Sequence, residues 1–155
     1  MKDIIIQTKR LFIMPRSFDE LKETCDKEEL EEMKQAYTEM LETMKKLKGR
    51  EEWGSEWKIT LKNGEVIGGI CFKGEPDKQG IVEIGYGIDE IYQNNGYATE
   101  AVGAVTEWAL EQKDVLWVTA QTDPDNIISQ TVLFNNGFVR DGYGDEGPMF
   151  RRNKL

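Results

Sequence analysis

The segment Tyr92-Gln93-Asn94-Asn95-Gly96-Tyr97-Ala98-Thr99-Glu100-Ala101 carries a glycine and runs directly into a helical pattern, and the chemistry it suggests is anion binding. The first N–H groups of a helix have no partners within the helix, and the aligned peptide dipoles gather partial positive charge there. A phosphate fits such an end without a lysine. Gly96 lets the backbone approach a ligand closely and take dihedrals that a side chain would resist. Just upstream, Ile81-Val82-Glu83-Ile84-Gly85-Tyr86-Gly87-Ile88 reads as a strand. Alternation puts Glu83, Gly85 and Gly87 on one face and Val82, Ile84, Tyr86 and Ile88 on the other. Two glycines beside one glutamate form either a trough holding a single carboxylate or a flat surface for close helix packing.

The run Gln93-Asn94-Asn95-Gly96-Tyr97-Ala98 resembles the Gln/Arg-x-x-Gly-x-Gly/Ala signature of the GNAT superfamily of acyl-CoA-dependent N-acetyltransferases. Two further segments are similar to that family, in the same order along the chain. Thr8-Lys9-Arg10-Leu11-Phe12-Ile13-Met14-Pro15 resembles the "T-x-R-L-x-L-R-P" first strand of the branch that includes the ribosomal-protein N-terminal acetyltransferases. The stretch from Thr122 to Phe138 resembles the later segment in which Asn126-x-x-Ser129 opens a helix and Gly137-Phe138 leads into the next strand.

The resemblance implies a co-substrate, acetyl-CoA, and an acceptor bearing a primary amine, either a small molecule or a protein N-terminus. It implies that Gln93, Asn94, Asn95, Gly96, Tyr97, Ala98 and Thr99 cradle the CoA pyrophosphate. By the same resemblance the Tyr86 N–H meets the thioester carbonyl, the Ile88 main chain bonds the pantetheine amide, and Asn126 holds the pantetheine arm. An amine of pKa near 10.4 is protonated at neutral pH and must lose a proton before attacking, a task that suits a carboxylate. Glu83 is the candidate base. Many relatives protonate the leaving thiolate with a tyrosine one turn beyond the Asn-x-x-Ser segment; this chain has Leu133 there, and Ser129 is the expected substitute. Direct attack in a ternary complex is expected, since neither cysteine falls in the matched motifs. The alternative is a non-catalytic module of the same shape that binds acyl-CoA or a protein partner.

Composition narrows the field further. The 155 residues suit one domain, 1–155, and the 39% hydrophobic and 32% charged content suits a globular core with a solvated surface. No apolar run approaches a membrane span, and Ile4-Ile5-Ile6 after Lys2-Asp3 is too short for a secretory signal, so a cytoplasmic location and no membrane partner are expected. The chain has no histidine, which excludes an imidazole base and histidine metal ligands. Cys25 and Cys71 are too few for a disulfide framework and too far apart for a metal pair, so no metal is expected. A net charge of −9 argues against nucleic acid and suits a cationic amine. Gln93-Asn94-Asn95 brings no cation of its own to the anion loop.

The elements that must position these residues follow from periodicity. Ile4 to Pro15 reads as a first strand, then Phe18 to Lys27 as a helix capped by Ser17 or Asp19. Leu30, Met33, Tyr37, Met40, Leu41, Met44 and Leu47 make one apolar stripe on a helix from Glu28 to Lys48, closed by Gly49. Trp57 to Leu61 and Val66 to Phe72 form a hairpin around Asn63-Gly64. The helix after the anion loop buries Ala98, Ala101, Val102, Val105, Trp108 and Ala109. A strand from Val115 to Thr122, a helix from Asn126 to Asn135, and strands from Phe138 to Tyr143 and Pro148 to Arg152 complete the chain. This order predicts an α/β (α+β) fold: a mixed, mostly antiparallel sheet of about seven strands with helices on both faces. The resemblance adds a splay between the two central strands. A monomer or a homodimer paired through a C-terminal edge strand fits equally.

Overall fold

Thr8 turns the first apolar run back on itself. Its hydroxyl accepts the Leu11 N–H at 3.0 Å and its own N–H reaches the Leu11 carbonyl at 2.9 Å. The Arg10 N–H leaves the ladder altogether and bonds the Glu100 carboxylate. The single strand expected over Ile4–Pro15 is therefore two antiparallel strands, β1 (Ile6–Gln7) and β2 (Leu11–Pro15), which brings the sheet to eight strands rather than seven. The computed structural model describes residues 3–154, so Lys2 and the two ends of the expected 1–155 domain lie outside the described residues.

Helix α1 (Phe18–Lys27) starts at Ser17, whose hydroxyl accepts the Glu20 N–H at 3.1 Å; Asp19 sits in the first turn instead, where the helix dipole favours a carboxylate. Helix α2 spans Glu31–Lys46, shorter than the expected Glu28–Lys48. The Glu28 carboxylate accepts the N–H groups of Glu29 and Leu30 and holds that corner out of the helix. Consequently Leu30 is exposed, and only Tyr37, Leu41 and Met44 of the predicted stripe are fully buried.

Strands β3 (Glu56–Leu61), β4 (Val66–Phe72) and β5 (Ile81–Ile88) form an antiparallel meander. After β5 come helix α3 (Tyr97–Leu110), strand β6 (Trp117–Gln121), helix α4 (Ile127–Asn135) and strands β7 (Val139–Tyr143) and β8 (Pro148–Asn153). The order across the sheet is β1-β2-β3-β4-β5-β6-β8-β7, with β5 and β6 the one parallel pair among the described residues. Three of the boundaries that differ from expectation have local reasons. The Leu116 and Trp117 N–H groups bond Gly80, so Val115 and Leu116 form a connection. Asn126 caps α4 rather than entering it, and the Phe138 N–H returns to Leu133 to close the same helix.

The main core lies between α3 and one sheet face, built on Trp57, Ile59, Ile70, Phe72, Val82 and Ile84 with Ala101, Val102, Val105 and Ala109. Trp53, Trp57, Phe72 and Trp108 form a ring cluster with centroids 4.7 to 5.8 Å apart. Helices α1 and α2 make a smaller core of Leu21, Cys25, Tyr37, Leu41 and Met44 over the other face. Among the described residues no helix is long and apolar enough to cross a membrane.

Candidate active site

Pairing between β5 and β6 runs from Ile81↔Trp117 to Ile84↔Ala120 and stops there, while β5 continues to Ile88. The two strands part at this point because β6 ends at Gln121 and the chain leaves for α4. On the far side, the Lys73 N–H bonds the Glu83 carbonyl and the Asp89 N–H bonds Ile67, so odd-numbered residues of β5 direct their peptide groups to β4. The even-numbered ones face the opposite edge. Tyr86 and Ile88 therefore present main-chain N–H and carbonyl groups into the splay, with the Ile88 carbonyl taken by the Gln93 amide at 2.9 Å.

The anion loop closes one end of this opening. Gly96 is the N-cap of α3 with φ 80°, Asn94 has φ 67°, and no side chain caps the helix. The Asn95 amide braces the loop by donating to the carbonyls of Tyr92 and Gln93. A groove of about 280 Å³ lies between this helix end and α4, and Ile88, Gln93, Asn94, Gly96, Tyr97, Ala98 and Thr99 all line it. Its other wall is apolar, from Ile127, Ile128 and Val132. Unpaired helix N–H groups at one end and an apolar wall along the side fit a phosphate joined to a largely uncharged arm. Asn95 and Asn126 stand outside the lining; the Asn126 side chain is committed to the Ser129 N–H at 3.0 Å.

A cation does reach the loop, from a distant part of the chain. Arg10, in the β1–β2 turn, donates through Nη1 to the Asn95 carbonyl at 2.8 Å and through Nε to Glu100 at 2.7 Å, and lies 4.4 Å over the Tyr97 ring. In the sequence Arg10 belongs to a strand motif, with nothing local to mark a part in the site. Glu100, in the first turn of α3, also accepts from the Thr8 hydroxyl and the Arg10 N–H. Burial pushes the Glu100 carboxyl up, but these bonds outweigh it and hold it below the ordinary value.

Inside the splay, the Tyr86 hydroxyl lies 2.7 Å from Ser129 Oγ and 3.2 Å from the Ser129 carbonyl. Burial raises the Tyr86 phenol above its ordinary value, with Ser129 pulling it partly back, so it is protonated at neutral pH. Leu133 is fully buried in the main core. The hydroxyl beside Ser129 thus comes from the strand rather than from α4.

On the other face of β5 a cavity of about 460 Å³ is lined by Gly85, Tyr86, Gly87, Gly69, Glu56, Arg16 and Asp89, with Met33 and Tyr37 of α2 above it. This is the trough expected from the glycine pattern, and no bulge interrupts the β4–β5 register. Its carboxylates differ from the expectation. Glu83 is not among the lining residues: its Oε2 accepts from Lys73 at 2.9 Å and Gln121 at 3.0 Å, and Lys73 also pairs with Glu146. Glu56, the first residue of β3, lines the cavity with a side chain 15% exposed. Burial raises its carboxyl above the ordinary value, against the nearby Arg16 guanidinium. Its position opposite Cys71, with the carboxylate reaching diagonally over Gly69, is a consequence of strand register that no local pattern signals.

Comparison with known proteins gives the family and the fold. A family model described as an acetyltransferase (GNAT) domain matches residues 14–139. The uncharacterized N-acetyltransferase YjdG of Bacillus subtilis is 38% identical over 84 residues, which are 54% of this chain and 50% of that protein, so the match spans about half the relative's length. The uncharacterized N-acetyltransferase YoaA of the same organism is 30% identical over 127 residues, 81% of this chain and 71% of its own. Among solved structures, RimL, a ribosomal L7/L12 alpha-N-protein acetyltransferase in complex with coenzyme A, superposes with a TM-score of 0.69 over 97% of this chain and 98% of its own, at 20% identity.

Proposed function

Since the chain belongs to the GNAT acetyltransferase family, we propose that it transfers the acetyl group of acetyl-CoA to a primary amine by direct attack in a ternary complex. The observation that carries this reading is the pair of openings that meet along β5: an apolar groove ending in uncapped helix N–H groups on one side, and a carboxylate-bearing cavity on the other. The first suits the co-substrate and the second suits an amine. The fold likeness to a ribosomal-protein acetyltransferase favours a peptide or protein N-terminus as acceptor, and the same cavity would admit a small amine.

The residues divide the work along the strand. The N–H groups at the start of α3, with Gln93 and Asn94, hold the pyrophosphate. Ile88 aligns the pantetheine arm through its main chain. The Tyr86 N–H, at an edge with no strand opposite, stabilises negative charge on the thioester oxygen as the amine adds. The Ser129 hydroxyl, sharing a hydrogen bond with Tyr86, delivers a proton to the departing sulfur. Glu83 and Lys73 set the charge at the closed end of the splay.

Calorimetric titration with acetyl-CoA, with ATP and NAD as controls, tests the co-substrate. Saturable binding of acetyl-CoA alone is the expected result, followed by amine-dependent release of free thiol. No binding at millimolar ligand would sink the proposal.

A further inference from the structure

We infer that Glu56, rather than Glu83, is the carboxylate that receives the acceptor amine and removes its proton; this rests on the acetyltransferase reading above. Three observations converge on it. Glu56 lines the cavity and Glu83 does not. The Glu56 carboxylate is fixed through Oε1, which accepts from Arg16 Nε at 3.0 Å, while among the described residues Oε2 takes no hydrogen bond. Oε2 stands over Gly69, where an added Cβ would lie 2.7 Å from it, so the glycine is what allows a carboxylate at this place. Glu83 lies outside the lining, and its Oε2 is already shared by an ammonium and an amide.

The surroundings suit proton transfer from an ammonium. Arg16 attracts the Glu56 charge, while Asp89 after β5 and Glu28 before α2 oppose it, and the Tyr37 phenol and Cys71 thiol near it are both held protonated by burial. A cation entering this group relieves the repulsion. The incoming ammonium gives one proton to Glu56 Oε2; the freed nitrogen lone pair forms the C–N bond as the carbonyl π electrons move to oxygen. Return of those electrons breaks the C–S bond, and the sulfur leaves with a proton from the Ser129–Tyr86 pair, which draws a replacement from solvent. The amide nitrogen sheds its second proton to solvent through the cavity. The ligand class is a primary ammonium on a chain slim enough to pass Met33 and Tyr37.

The test is a carbon-13 NMR titration of the glutamate carboxyls, with Glu56 assigned by its loss in Glu56→Gln, read with and without propylammonium. The expected result is a Glu56 midpoint above the ordinary glutamate range that moves down when the cation is added. A Glu56 signal that ignores propylammonium while Glu83 responds would overturn the inference. Kinetics give a second reading: Glu56→Gln should lose roughly 10²–10⁴-fold in rate with propylamine but under about tenfold with trifluoroethylamine, which arrives already neutral. Equal losses with both amines would mark Glu56 as merely structural. Failure of acetyl-CoA to bind overturns the acetyltransferase reading and this role together; binding with a silent Glu56 overturns this role alone.

Discussion

Cys71 borders the cavity beside β5, yet its burial pushes the thiol up to about 11, with Lys73 pulling only partly against that. A thiol of that pKa is protonated at neutral pH and is a poor nucleophile. Intact-protein mass spectrometry after incubation with acetyl-CoA at pH 7 should accordingly find no acetyl adduct on this residue; an acetyl-thioester there would replace direct attack with a two-step transfer. Tyr86 carries a different expectation. Tyr86→Phe removes the 2.7 Å partner of Ser129. The leaving thiol has an ordinary pKa near 8.5 and needs little help, so kcat should fall only about three- to tenfold with acetyl-CoA affinity unchanged. A loss of several orders of magnitude would make the hydroxyl pair essential to the chemistry.

At the scale of an element, the anion loop depends on two residues far apart in sequence. Gly96 holds φ 80°, which costs a residue with a Cβ roughly 1–2 kcal/mol. That Cβ would also lie 3.3 Å from Arg10 Nη2. Gly96→Ala should therefore weaken acetyl-CoA binding about tenfold by calorimetry, the factor that corresponds to about 1.4 kcal/mol. Arg10 acts on the same loop as a positioning residue through Asn95, Tyr97 and Glu100. In Arg10→Ala the amides of residues 93–97 should exchange hydrogen faster, and affinity should fall with them. Faster exchange without loss of affinity would separate loop order from binding.

For the molecule as a whole, Glu100 ties the β1–β2 turn to the first turn of α3 and so joins the sheet edge to the helix that forms the core. Although burial alone would raise it, the bonds from Thr8 and Arg10 leave its folded pKa lowered. A lowered folded value means that its stabilisation is present above the unfolded value and is lost as pH falls through the folded one. Glu100→Gln should thus cost about 1 kcal/mol at pH 7, a modest figure because Arg10 is half-exposed, and the difference from the parent should shrink in acid. Denaturant melts at pH 7 and at pH 3 measure this; a difference that grows in acid would refute it. Trp57→Ala tests the core itself, with an expected loss of about 3–5 kcal/mol for a fully buried aromatic in the ring cluster.

Alternation, caps and loop chemistry are relations between residues a few positions apart, and they were legible in the chain. They determined β4 and β5 to the residue, the hairpin at Gly64 and the helix after Gly96, and narrowed the cap of α1 to Ser17 or Asp19. They erred where one side chain outbid the pattern, as Thr8 did in the first strand and Glu28 ahead of α2. Tertiary structure decided what depends on register and on contacts between remote segments. Arg10 meets Asn95 across 85 positions, and Tyr86 meets Ser129 across 43. Glu56 enters the cavity because β3 pairs with β4 so as to set it opposite Cys71, with its carboxylate over Gly69. Local propensity is blind to such pairings: they follow from how buried faces fit once the sheet has closed, and that fit set Glu56 in the lining of the cavity.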